Sequence, residues 1–217
     1  MTEQGEPPSL ITDHDLEQAC DFLRDGRVVA FPTETYYGLA VDPLNRQALS
    51  RLFALKRRPP DKPLLLLVED RRQLPDLVRE VPPPFEVLMR EFWPGPLTLV
   101  FPGQESLPEM LTGYGSTVGL RQSSHPLAAR LVRAFGRPIT ATSANRSGEP
   151  AAVDAAGVID HLGPDVDMVL DGGSTPGGSG STIVGQEDGQ IVLLRPGVIP
   201  FADVLAVLDR DRSGREK

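Results

Sequence analysis

The sequence predicts an α/β fold, and three observations carry that expectation. Helical and strand-like segments alternate along most of the chain. Two of the helical segments stop at a glycine, Gly26 and Gly136, as helix C-termini commonly do. The run "PLLLLVE" (63–69) is short, almost wholly apolar and opened by proline, as a strand buried on both faces would be.

The elements follow in order. Residues 12–26, "TDHDLEQACDFLRDG", predict a helix: Thr12 and Asp15 fit a capping box, and Leu16, Ala19, Cys20 and Leu23 form one apolar stripe. "RVVAF" (27–31) is β-branched and apolar, hence a strand ended by Pro32. "NRQALSRLFALK" (45–56) has helical spacing through Ala48, Leu52 and Leu55. A helix opens near Pro82–Pro84 and runs to about Phe92, and the strands "LTLVF" (97–101) and "TVGLR" (117–121) follow. "HPLAARLVRAFG" (125–136) predicts a helix and "PITAT" (138–142) a short strand. In residues 143–163 a polar loop leads into another helix. "DMVLDGG" (167–173) and "STIVG" (181–185) predict strands around a Gly-rich segment, and "QIVLLRPG" (190–197) a further strand. "PFADVLAVLD" (200–209) is the last helix, and "STIVGQEDGQIVLLR" suggests an antiparallel hairpin. Residues 1–9 and 210–217, polar or charged, are expected to be flexible, leaving one domain over 10–205.

Composition excludes several functions. The 217 residues carry 30 Asp+Glu against 22 Lys+Arg, a formal charge of −8, which argues against sequence-independent nucleic-acid binding as the main task. One cysteine, Cys20, excludes an intramolecular disulfide, and its place on an apolar stripe favours a buried thiol over a nucleophile. His14, His125 and His161 lack ligand spacing, which disfavours zinc. No stretch has the length of a membrane span or the apolar core of a signal peptide, so a cytoplasmic protein is expected.

Four polar segments and two arginines are candidate sites. "LFALKRRPPDKPLLLLV" gathers Lys56, Arg57, Arg58 and Lys62 at a helix-to-strand junction. In an extended segment Lys56 and Arg58 would share a face toward a polyphosphate, with Arg57 turned away. The alternative is a solvated basic loop near Asp61. In "FPTETYYGLAVD", Thr33, Glu34 and Thr35 offer hydroxyls and a carboxylate to a polar substrate, with Tyr36 or Tyr37 as a wall; a turn with a core tyrosine fits equally. "ITATSANRSGEP" sets Ser143, Asn145 and Ser147 in alternation, for a sugar or phosphate or for an Asx/Ser turn. "DGGSTPGGSGSTIV" can present N–H groups to an anion or be a flexible loop, and it matches neither a P-loop nor a dinucleotide fingerprint. Arg121 and Arg195 at strand ends serve either an anionic ligand or an ion pair. Together these groups suit an anionic, nucleotide-like ligand with a small polar co-substrate.

Taken in order, "FPTETYYGLAVD", "LKRRPPDKPL", "WPGPLTLVF", "VGLR…HPLA", "TATSANRSGEP", "GSGSTIV" and "LLRPG" closely resemble the YrdC/TsaC family of L-threonylcarbamoyladenylate synthases, from about residue 10 to 205. The resemblance implies a twisted mixed sheet flanked by helices, with a concave ligand cleft. It also implies synthesis of threonylcarbamoyl-AMP and diphosphate from L-threonine, bicarbonate or CO2, and ATP, with Mg2+ accompanying ATP. A TsaD-type transferase and its helpers would then modify adenosine 37 of tRNA. The family signature falls on Lys56, Arg58, Ser143 and Asn145, expected at the catalytic ATP site with Lys62, Thr117 and Arg195. Thr35, Arg121, Ala141 and Ser181 fall where the family contacts L-threonine. Two positions depart from the common pattern: Arg57 where many members have glycine, and Leu67 where many have histidine. The chain resembles the short type, which relies on separate partners. Two other readings remain beside this one, a double-stranded RNA or tRNA-binding module and a related carbamoyl-adenylate enzyme.

Overall fold

The computed structural model describes residues 11–215. The capping box is formed: Thr12 and Asp15 bond reciprocally and open α1 (Asp13–Arg24), whose buried residues are the four of the expected stripe. The strand β1 (Val29–Pro32) turns back through residues 33–36 into β2 (Tyr37–Ala40), antiparallel to it. No strand was expected at 37–40. That segment is buried throughout, so it lacks the alternation that marks a half-exposed strand.

Next come α2 (Arg46–Lys56), β3 (Leu65–Leu67), α3 (Pro83–Phe92), β4 (Leu97–Pro102), the single turn α4 (Glu109–Thr112) and β5 (Thr117–Arg121). They are followed by α5 (Pro126–Phe135), β6 (Ile139–Thr140), β7 (Thr142–Ser143), α6 (Ala155–Leu162), β8 (Met168–Val169), β9 (Thr182–Glu187), β10 (Gln190–Arg195) and α7 (Phe201–Arg215). The strands form two sheets with orders β7-β2-β1-β8 and β10-β9-β4-β5-β3-β6. Pairing is mixed: β1 with β8, β3 with β5 and β4 with β9 are parallel, and the other pairs are antiparallel. The expected hairpin is β9–β10, turned by Asp188 and Gly189, both at positive φ as a tight two-residue turn requires.

The segment expected as one strand, "PITAT", is two. Ala141 interrupts it, and the chain leaves the six-stranded sheet after Thr140 to join the four-stranded sheet at Thr142. One apolar core packs α2 and α3 against the larger sheet, including Leu52, Phe85 and Leu99. A second sets α1 and α5 over Phe31, Leu67 and Ile139. Leu67 therefore belongs to the core, where apolar side chains surround it.

The C-terminal expectation needs correction. Residues 210–215, read as part of a flexible tail, continue α7, whose Val204, Val207 and Leu208 are buried. Arg90 pairs with Asp211 at 2.9 Å and Arg210 with Glu91 at 3.7 Å, solvent-exposed pairs that add little to the apolar contact. Residues 1–9 and 216–217 lie outside the described residues.

Candidate functional site

A cavity of about 410 Å3 opens beside Ala141, where the chain passes between the sheets. Three guanidinium groups face it: Arg58 after α2, Arg121 at the end of β5 and Arg195 at the end of β10. Of the residues expected at the site, Thr35, Ala141, Ser143, Asn145 and Ser181 also line it.

Each arginine is placed by backbone. Helix α2 stops because Arg57 takes the left-handed conformation (φ 49°) and reverses the chain. Arg58 is then braced by donating Nε to the Lys62 carbonyl at 3.2 Å and a terminal nitrogen to the Pro63 carbonyl at 2.7 Å. The extended geometry assumed for residues 56–58 is absent, because Lys56 is the last helical residue. Near its end β10 shifts register between Leu193 and Arg195, a bulge that re-aims the arginine. Arg195 donates to the Ser181 carbonyl at 2.7 Å and to its hydroxyl at 3.1 Å. A side chain at Gly180 would meet this guanidinium at 3.0 Å. The Ser181 hydroxyl also bonds Thr98 at 2.8 Å, a buried partner that the sequence marks only as one polar residue in an apolar strand.

Arg121 has a different setting. It is 3% exposed, its Nε is buried without a hydrogen-bond partner, and its charged contact is a terminal nitrogen facing Glu34 at 3.4 Å. Burial pulls its pKa down, Glu34 counters this, and Arg195 adds to the lowering. Burial, then Arg195, likewise lowers Arg58. The Arg195 charge bears on both Arg58 and Arg121, and a cavity lined by three guanidinium groups fits a ligand with anionic groups.

Lys56 points elsewhere. Its ammonium group is enclosed, donating to the Ser143 carbonyl, the Asn145 carbonyl at 2.7 Å and the Asn145 side-chain oxygen at 3.2 Å. Burial and then the Arg58 charge push its pKa down to about 7. The Asn145 amide is equally committed: its oxygen accepts from the Ser143 hydroxyl at 2.6 Å, and its nitrogen donates to the Glu149 carbonyl. Lys56, Ser143 and Asn145 thus form one internal network that shapes the cavity wall. Lys62 and Thr117 are exposed and do not line the cavity.

Another part of the cavity lining is the turn from β1 to β2. Thr33 shapes it, donating its hydroxyl to the Tyr36 carbonyl at 2.7 Å while accepting the Thr35 N–H at 3.2 Å. Both tyrosines line the cavity, and Tyr37 anchors the Gly-rich segment by donating to the Gly173 carbonyl at 2.8 Å. Burial raises the Tyr37 pKa to about 12. The Gly-rich segment is tied down further on: Thr175 N–H bonds the Val153 carbonyl at 2.7 Å, and Gly177 N–H bonds the Thr35 carbonyl at 2.8 Å.

Behind this turn, His125 caps α5 by accepting the Leu127 N–H on Nδ1 at 3.2 Å, and burial lowers its pKa from 6.5. As pH falls below 6.5 the unfolded chain takes up this proton first, so the contribution to stability is lost toward acid. His125→Asn, which retains a capping oxygen, is expected to flatten the fall in thermal midpoint between about pH 7 and 5 relative to wild type.

Known proteins share this fold. The Sua5/YciO/YrdC family model, described as "Telomere recombination", matches residues 21–197. A threonylcarbamoyl-AMP synthase of Pyrococcus abyssi is 40% identical over 202 residues, which are 93% of this chain and 59% of that protein. A protein of the same name from Pseudomonas putida (strain W619) is 40% identical over 87% of this chain and 100% of its own length. The crystal structure of P. abyssi Sua5 complexed with L-threonine superposes with a TM-score of 0.88 at 40% identity, over 92% of this chain and 58% of that one. The chain thus spans less than two thirds of the P. abyssi relative it matches. The chain belongs to the Sua5/YciO/YrdC family.

Proposed function

We propose that the cavity makes threonylcarbamoyl-AMP and diphosphate from L-threonine, bicarbonate or CO2, and ATP. The observation that carries this reading is the convergence of Arg58, Arg121 and Arg195 on one cavity, with Arg121 buried and its Nε without a partner. The names of the relatives support it.

Arg121 receives the threonine carboxylate by its planar fork, and Thr35, Ser181 and the backbone at Ala141 surround the rest of the amino acid. Arg58 and Arg195, with Ser143 and Asn145, take the nucleotide. Lys56 supports that wall from behind. Lys62 and Thr117 are left for parts of ATP that project outward. In the reaction the free amine captures CO2 to give a carbamate, whose oxygen attacks the ATP α-phosphorus. The bond to the bridging oxygen breaks and diphosphate leaves. Arg58 and Arg195 stabilise the charge that builds on the leaving group, so positioning and electrostatics outweigh any protein nucleophile.

Among the described residues no group of three or more His, Cys, Asp or Glu gathers to hold a metal. Mg2+ would therefore arrive with ATP, held chiefly by phosphate oxygens, as this ion commonly is. A TsaD-type transferase with its helpers would consume the product in tRNA modification, in the cytoplasm. Among the described residues no helix is long and apolar enough to cross a membrane. The net charge of −8 weighs against direct RNA binding as the main role.

The test is diphosphate release with ATP, bicarbonate and a panel of amino acids. Release that depends on both threonine and bicarbonate is expected. Its absence, with tight salt-sensitive binding of duplex RNA, would favour an RNA-binding module instead. Carbamoyl-adenylate formation without threonine would favour the related carbamoyl-transfer chemistry.

A further inference from the structure

The turn that lines the cavity carries a carboxylate with an unusual setting. Glu34 and Arg121 approach to 3.4 Å with side-chain exposures of 12% and 4%. Neither completes its hydrogen bonding: Glu34 Oε1 and Arg121 Nε are both buried without a partner. The other carboxylate oxygen, Oε2, accepts from the Ser123 hydroxyl, and Ser123 Oγ in turn accepts the His125 N–H at 3.2 Å. The carboxylate is therefore held from one side, with its unmatched oxygen toward the arginine.

A buried carboxylate is costly and persists where another charge compensates it. For a site that had only to grip an anion, a carboxylate beside the arginine would repel the ligand. The pair suits a ligand that itself carries both signs, because Glu34 cancels the Arg121 charge and leaves this end of the cavity close to neutral.

We propose that Glu34 is a specificity-determining residue, which makes the Arg121 end of the cavity select a zwitterionic α-amino acid over an α-hydroxy acid of the same shape. The amino acid places its carboxylate on Arg121, and its ammonium group balances Glu34. The hydroxy acid brings the same carboxylate with nothing to offset Glu34. Oε1 is enclosed, so the effect acts through the field across a short, poorly solvated distance and needs no direct contact. The proposal rests on the reading that this cavity takes L-threonine.

The experiment is equilibrium binding of L-threonine and of its 2-hydroxy analogue, 2,3-dihydroxybutanoate, to wild type and to Glu34→Gln. Wild type is expected to prefer threonine by at least about tenfold, the scale of one charge-assisted interaction. In Glu34→Gln that preference is expected to fall by about tenfold or more, because threonine binding weakens while analogue binding holds or improves. Equal weakening of both ligands marks a merely structural role and overturns the proposal, as does an unchanged ratio or a wild type without preference. A wild type that binds neither compound overturns the underlying reading of the cavity, a different result from binding without selectivity. If Glu34→Gln does not fold, Ser123→Ala loosens the same carboxylate and keeps its charge. Its preference is then expected to fall about threefold, because the carboxylate keeps its charge but loses the charge-assisted hydrogen bond that fixes it, and no change would overturn the proposal.

Discussion

Arg121→Ala is expected to abolish threonine-dependent diphosphate release and to destabilise the fold by about 3–5 kcal/mol in denaturant unfolding, because it leaves the Glu34 carboxylate buried without its counter-charge. The two effects have separate origins and can be separated. In Arg121→Met combined with Glu34→Gln neither position of the pair carries a charge, so most of the stability is expected to return. Turnover is expected to stay absent, because the fork that receives the substrate carboxylate is gone. If the double variant recovered activity, Arg121 would not be the carboxylate anchor.

Lys56→Met is the second large effect. Three oxygens, the carbonyls of Ser143 and Asn145 and the Asn145 amide oxygen, lose their shared donor in a buried setting. A stability loss of about 3 kcal/mol is expected, with turnover falling because the nucleotide wall shifts. A pH scan adds an independent check. The folded pKa is lowered to about 7 from 10.5, so between these values the unfolded chain binds more protons than the folded one. Stability from this group alone therefore rises with pH through that window. Wild type is expected to gain stability relative to Lys56→Met between about pH 7 and 9.5. A parallel pH dependence in the two proteins would count against an enclosed amine. Arg57→Ala, at an exposed position outside the cavity, is expected to leave turnover near wild type.

Much of the fold was legible because its signals are local. The Thr12–Asp15 box, the stripe on α1 and the hairpin within "STIVGQEDGQIVLLR" each rest on residues a few positions apart, and each formed as read. The strand at 37–40 was missed because a segment buried on both faces has no periodicity to show. The disordered tail was a misreading of composition: charges on 210–215 looked solvated, but Arg210 and Asp211 have partners on α3.

The site divides in the same way. The residue types along the sequence suited an anionic ligand but left loops, turns and ion pairs open, and the order of seven motifs carried the family resemblance, because both depend only on which residues occur and in what order. What each cation does was decided by tertiary structure. Lys56 and Arg58 are two apart in sequence, but one ends a helix and is enclosed by carbonyls while the other follows a left-handed reversal and reaches the cavity. Arg121 and Glu34 are 87 positions apart and became a pair only when β5 was laid beside the β1–β2 turn. Charge is a property of the sequence. Whether it meets a ligand, a carbonyl or another charge depends on burial and distance, and those are set only when the two sheets meet at Ala141.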